Sequence, residues 1–373
     1  MILLGGYVLE NNLNSDNKNV ELLNNDESVK PANKKATIFN CILVAVIFVG
    51  LFIYMVLVDG IDNIVNLLKN VNYWWVLAGL GCLIIQWICD AICLHIPIKR
   101  LYPNQSFGNS FRVAMIGQLF NNVTPFSSGG QPMQAYEFTK TGKRVSDSFS
   151  AMAIKFIITQ TALVIFTFTV ILFQFNFFAS IMKDFLWVAV VGFTINILVI
   201  LVVILAGLKK RVITIISNPI ITLLGKIKIF KNPEKTREKF DKSLDNFGEQ
   251  FKIMKSEKKM VLKIFIFATI QSFAYYSITY MVYRAFGNSG VDFWQIIPVQ
   301  AFLLLLMTFI PTPGAGIGAE GGFLVLFQSI FKNGTINMSI LFWRLYTFYL
   351  PIIVGALFLI PVNQKNKRIK NIN

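Results

Sequence analysis

The chain has 373 residues, 55% of them hydrophobic and only 14% charged, with a mean hydropathy of +0.59. An average soluble domain carries about 25% charged residues, so this composition cannot cover a water-exposed globule and excludes an ordinary soluble enzyme. The formal charge is +16, from 35 Lys and Arg against 19 Asp and Glu. The basic residues border apolar runs of membrane-spanning length, so the excess marks loops facing anionic lipid rather than a nucleic-acid interface.

Residues 1–36 are polar and Asn-rich after a short apolar start. No hydrophobic core precedes a small-residue cleavage site, so this is a disordered cytoplasmic tail and not a cleavable signal peptide. Residues 37–362 form the transmembrane domain. Its full spans are expected at Ile38–Val58, Tyr73–Ile96, Phe149–Phe173, Phe185–Ala206, Val261–Phe286 and Ser339–Pro361. Residues 208–260 form a basic cytoplasmic loop. Within it Phe240, Leu244, Phe247, Phe251 and Met254 repeat at helical spacing opposite a Lys-rich face, the pattern of an interfacial amphipathic helix. Residues 363–373 are a basic cytoplasmic tail. The Lys and Arg placement puts both termini inside a multi-pass protein of a bacterial cytoplasmic membrane.

Two apolar stretches do not read as simple spans. Between Phe107 and Gly142 the run is interrupted by Asn121, Asn122, Pro125, Gly129, Gly130 and Pro132. The second is PTPGAGIGAEGG, from Pro311 to Gly322. Non-helical backbone at membrane depth is tolerated only where protein buries it or water lines it. The expected fold is therefore all-α and polytopic, with six to eight transmembrane helices and two Gly/Pro-broken re-entrant segments. One such segment in each half points to a transporter site, because the freed N–H groups at helix ends can hold an anionic group such as a lipid phosphate.

Charge inside a membrane segment is costly and so informative. Glu320 falls in the second break, Glu137 just after the first, and Arg344 inside the last span. Arg112 and Lys155 fit equally a functional intramembrane charge or a side chain snorkelling to the interface, Arg284 reads as an anchor, and Asp90 and His95 as structural polar residues. The expected headgroup site joins Asn121, Asn122, Gly129, Gly130, Gln131 and Glu137 to Pro313, Gly314, Gly316, Glu320 and Arg344. The cysteines Cys41, Cys82, Cys89 and Cys93 all lie in apolar runs; Cys89 and Cys93 stand near His95, but no carboxylate has matching ligand spacing, so they read as small buried hydrophobes. No nucleophile with a partner base, phosphate loop or metal cluster stands out, so no cofactor is expected and the sequence leaves any catalytic residue unknown.

The runs PFSSGGQPMQAYEFTKTG, AMAIKFIITQ and FIPTPGAGIGAEGGF resemble the lysylphosphatidylglycerol synthase transmembrane region family over about residues 40–360. The resemblance implies a flippase-like membrane half, as in the multiple peptide resistance factor, which joins such a half to a soluble aminoacyl-transfer domain. Only a short basic tail follows Pro361, so that domain is not expected in this chain. Relatives often carry charged residues where this chain has Gln131-Pro132-Met133-Gln134. The implied function is a flippase or transporter for an anionic or aminoacylated phospholipid or a lipid-linked carrier. The alternative is a phosphatidylglycerol lysyltransferase, or its membrane subunit, which would need lysyl-tRNA. Expected partners are the lipid substrate, the anionic membrane surface and a separate soluble synthase.

The amphipathic stripe is testable by itself. A peptide covering residues 234–260 should bind anionic vesicles and be released by salt, and Phe247→Asp with Phe251→Asp should abolish that binding. Equal binding to neutral vesicles at any salt would leave the basic face without a role.

Overall fold

The computed structural model describes residues 61–181, 186–226, 256–307, 312–332 and 334–359, with isolated positions between 234 and 252. The expected first span, both tails and the amphipathic stripe other than Leu244 lie outside the described residues. The described chain is helical throughout, with no strand: α1 Ile61–Lys69, α2 Tyr73–Leu101, α3 Phe107–Val123, α4 Gly130–Thr139, α5 Val145–Phe173, α6 Phe175–Ile181, α7 Leu186–Leu208 and α8 Lys210–Lys226. After the basic loop follow α9 Lys258–Ala285, α10 Phe293–Met307 and α11 Gly316–Phe327. The last, α12 Ile336–Leu357, passes through a π turn at Leu345–Tyr349. Four of these, α2, α5, α9 and α12, are long and apolar enough to cross a membrane.

Their polarity runs opposite to that of a soluble bundle. On α2, Leu77, Ile84, Ile85 and Ile88 face outward, while Gln86 and Asp90 are buried beside Leu83 and Leu94. Outward apolar stripes continue on α5 at Ile165, Phe168 and Leu172, and on α7 at Val190, Leu198 and Leu201. Contiguous exposed apolar surface of this extent would drive association in water, and it fits hydrocarbon. The chain is an all-α membrane protein.

The helices α2 and α9 form the central antiparallel pair. At one end the Asn72 amide donates to the Ala285 carbonyl at 2.9 Å and the Arg284 guanidinium lies 5.1 Å from the Trp75 ring. At the other end Arg100 pairs with Glu257. This second end also carries Lys99, Lys140, Lys143, Arg144 and Lys258, and is called the basic end below.

Around this pair the chain repeats one pattern twice. A long helix is followed by a half-length helix, a proline turn, a second half-length helix and another long helix; α2–α5 make one unit and α9–α12 the other. Because α2 and α9 run antiparallel, the units are inverted relative to each other. The first hairpin, α3 and α4, enters from the basic end and returns to it, with Arg112 near its start bonded to Glu137 near its end at 2.8 Å. The second, α10 and α11, enters from and returns to the opposite end, where the Lys332 amide donates to Asn288 Oδ1 at 2.8 Å. The turns Pro125–Ser127 and Pro313–Ala315 pack against each other midway.

Both turns use the left-handed backbone region: Phe126 has φ 54° and Ser127 φ 52°, while Gly314, Ala315 and Gly316 have φ 57°, 59° and 39°. For the three non-glycine residues this conformation costs about 1–3 kcal/mol each, so the surroundings must hold it in place.

The breaks are shorter than their glycine content suggests. Asn121 and Asn122 are the last full turn of α3, and helix resumes at Gly130. In the second break helix resumes at Gly316, so Gly318, Gly321, Gly322 and Glu320 are helical and not part of the expected open stretch; Pro311 lies outside the described residues. In an apolar medium a glycine-rich segment has no water to satisfy its amides, and the helix is the cheapest way to satisfy them internally. Gly322 also faces Leu303, where a Cβ would stand 2.8 Å from Cδ1.

The inverted arrangement predicts that the loops at the two ends lie on opposite sides of the membrane, with the basic end inside. A single cysteine at Lys231 should resist a membrane-impermeant maleimide in intact cells, and one at exposed Ser289 should react; Asn288 beside it is buried. The reverse pattern would invert the map.

Candidate functional site

Arg344 lies about midway along α12 and is only 1% exposed. A lone guanidinium at such depth would be expelled, so its partners decide whether it can stay. Its Nε donates to Glu320 Oε1 at 2.6 Å, Nη1 to the Gly314 carbonyl at 3.0 Å and Nη2 to the Gly316 carbonyl at 2.8 Å. The Trp343 and Phe348 rings stand 5.2 and 5.1 Å from its central carbon. The left-handed turn aims the two carbonyls at the guanidinium, and Arg344 in turn holds that turn in its strained form. A Cβ on Gly314 would overlap the Phe348 ring, so this position requires glycine for space as well as for φ. Glu320 Oε2 is buried with no hydrogen-bond partner among the described residues.

Between the two turns lies an open cleft of ≈ 320 Å³, at the lower edge of the range of small-ligand pockets, about 300–1,000 Å³. Gln86, Gln118, Asn121, Asn122, Gln271, Ser272, Thr312, Thr347 and Arg344 supply its polar lining, and Leu163, Leu304 and Met307 apolar walls. Phe126, at the tip of the first hairpin, is 58% exposed and forms part of the rim. A polar groove at mid-depth beside an apolar opening is a surface to which a lipid can present its headgroup while its chains stay in hydrocarbon.

The expected residues distribute unevenly. Asn121, Asn122, Gly314 and Arg344 line the cleft, and Glu320 and Gly316 support it through Arg344. Pro313 opens the 3-10 turn that carries these carbonyls. Gly129 and Gly130 do not offer free amides to an anion: the Gly129 amide donates to Thr124 Oγ1 at 2.8 Å and the Gly130 amide to Asn121 Oδ1 at 3.0 Å. Their role is close packing, since a Cβ on Gly130 would overlap the Asn121 carboxamide. Glu137 is fully buried near the basic end, bonded to Arg112 at 2.8 Å and Lys140 at 2.6 Å, and lines neither the cleft nor a second, smaller cavity of ≈ 160 Å³ beside it. Its place on α4, two turns beyond the tip, carries it away from Arg344. Gln131 lines that neighbouring cavity instead.

Asp90, Lys155, Gln118 and Gln271 carry more than sequence reasoning assigned them. Lys155 Nζ donates to Asp90 Oδ1 at 2.6 Å, and the Gln118 and Gln271 side chains approach the same carboxylate at 3.4 Å. Of the two readings open for Lys155, snorkelling is excluded, because its ammonium is paired with Asp90 inside the bundle. The signal was available, since Asp90 lies well inside an apolar span, where the rule applied to Glu320 holds equally. The contact links residues 65 apart in sequence, which spacing alone does not reveal.

Two inverted hairpin units meeting at a mid-depth cleft define a polytopic all-α membrane protein built from an inverted repeat. The chain belongs to the family described as the lysylphosphatidylglycerol synthase TM region, whose profile matches residues 42–355. It is similar to a UPF0104 membrane protein of Archaeoglobus fulgidus, 23% identical over 318 residues that cover 82% of this chain and 92% of that protein. It is also similar to an uncharacterised protein of Mycoplasma pneumoniae, 21% identical over 346 residues covering 85% of this chain and 84% of that one.

Arg344→Gln leaves the Glu320 carboxylate buried without its cation, which should cost about 3–5 kcal/mol. The double change Glu320→Gln with Arg344→Gln removes both charges and should recover most of that loss. Detergent-based unfolding of the three variants measures it. A double variant no more stable than Arg344→Gln would mean that charge compensation is not what holds the turn.

Proposed function

We propose that this chain moves a phospholipid, or a lipid-linked carrier, across a cell membrane by passing its headgroup through the cleft between the two hairpins. The observation that carries this reading is the meeting of two re-entrant hairpins from opposite ends at one cleft lined by a buried arginine ion-paired to Glu320. Each hairpin reaches the cleft from a different side, so a headgroup there needs to traverse only half of the protein to reach either surface. The broken helices place polar backbone where an unbroken span would place apolar side chains, the arrangement found at mid-membrane substrate sites of transporters built from inverted repeats. In this reading the basic end faces the cytoplasm, and the apolar opening at Phe126 admits the acyl chains from the bilayer.

A dithionite-quenching assay in proteoliposomes carrying phospholipid labelled on an acyl chain, which leaves the headgroup unaltered, tests the reading. The purified chain should accelerate loss of inner-leaflet fluorescence, and Arg344→Gln and Gly314→Leu should return it to the protein-free rate while the protein still inserts. Wild-type protein that never exceeds the protein-free rate, yet forms lysylphosphatidylglycerol when given lysyl-tRNA and phosphatidylglycerol, would replace the translocase with the lysyltransferase that the family's description suggests.

A further inference from the structure

Asp90 and Lys155 line a second cavity of ≈ 160 Å³ that shares Gln118 and Asn121 with the cleft. It lies on the basic-end side. Along α2, Asp90 is one turn nearer that end than the cleft-lining Gln86, and along α5 the residues from Met152 to Thr159 precede the cleft-lining Leu163. With a rise of about 5.4 Å per turn, the two spaces are stacked in series, and the shared polar side chains leave no apolar layer between them.

The inverted repeat gives this pair a counterpart. Lys155 is the eleventh residue of Val145–Phe173 and Arg344 the ninth of Ile336–Leu357. Gln134, which also lines the second cavity, is the fifth residue of Gly130–Thr139, and Glu320 the fifth of Gly316–Phe327. In each unit the closing long helix therefore brings a cation to the depth reached by the start of the returning half-helix. The acids differ in origin: Glu320 stands on the half-helix itself, whereas Gln134 is neutral and α2 supplies Asp90.

We propose that Asp90 and Lys155 form a second headgroup station, serving the basic end as Glu320 and Arg344 serve the far side, and that both stations take a zwitterionic headgroup carrying a phosphate and an ammonium. This rests on the translocation reading above and narrows its substrate class. Each station is a closed pair of opposite charges. An anion binding Lys155 alone would leave the buried Asp90 carboxylate uncompensated, and a cation binding Asp90 would strand Lys155 in the same way. A headgroup that carries both charges exchanges one internal pair for two cross pairs and keeps the station neutral throughout. The long 3.4 Å bonds from Gln118 and Gln271 let the carboxylate turn toward an incoming ammonium. The unpartnered Glu320 Oε2 leaves an acceptor without a donor at the other station.

Photocrosslinking of the full chain in nanodiscs tests the station. p-Benzoylphenylalanine replaces Phe156, which lines the second cavity, Phe126 on the cleft, or Phe173, an outward-facing control that is 83% exposed. Radiolabelled phosphatidylethanolamine should label the Phe156 position well above the Phe173 control, and phosphatidylglycerol should not. Lys155→Gln should lower that yield about tenfold, as loss of one charge-assisted contact does, and leave the Phe126 yield in place. The neutral double variant Asp90→Asn with Lys155→Gln, which strands no charge, should lose labelling equally. Equal yields from the two lipids, yields at Phe156 no higher than the control, or insensitivity to both variants would each overturn the station. Labelling as expected in a protein that fails the quenching assay would instead overturn translocation and leave the binding site standing.

Discussion

Hydrocarbon offers no partners to a backbone that leaves the helix, and this constraint governs the whole arrangement. Each hairpin tip frees carbonyls and amides at mid-depth, and at each tip two of them are bonded by side chains of the protein itself. At the first tip Thr124 and Asn121 accept the amides of Gly129 and Gly130. At the second, Arg344 reaches across from α12 to take the Gly314 and Gly316 carbonyls. The first solution is local and neutral. The second brings a charge from the next helix, which then requires Glu320, so the polar character of the cleft follows from how the second turn is closed.

The π turn that follows Arg344 belongs to the same solution. It widens α12 by one residue at Leu345–Tyr349, and Phe348 emerges against Gly314 while the Tyr346 hydroxyl donates to the Val76 carbonyl of α2 at 2.8 Å. Single π turns occur mostly at functional positions, where they re-aim side chains that a regular helix would place elsewhere. Here the widened turn lets one helix serve the tip of the second hairpin and the central α2 pair at once.

Much of this was legible in the sequence because the governing signals are local. Apolar runs, flanking basic residues and Pro/Gly interruptions gave the long helices and both re-entrant segments. Intramembrane charge singled out Glu320 and Arg344, which are paired. The extent of the breaks was misread because glycine density was taken for irregular backbone, whereas Gly318, Gly321 and Gly322 are helical in a medium that enforces the helix. The Asp90–Lys155 pair and the displacement of Glu137 toward Arg112 were not legible. Both depend on which helix faces which, and the inverted repeat that fixes this shows in the sequence as little more than a shared break, with Thr-Pro at Thr124-Pro125 and Thr312-Pro313.

The mutual cancellation of the buried charges has a consequence for how this protein responds to voltage. Moving one elementary charge through 100 mV changes the energy by about 2.3 kcal/mol, enough to dominate a conformational equilibrium. Lys155 is tied to Asp90 and Arg344 to Glu320, so shifting either helix with its partner carries no net charge through the field. These two pairs therefore offer the membrane potential no net charge to act on, and any electrical sensitivity of the described helices must come from charges outside them.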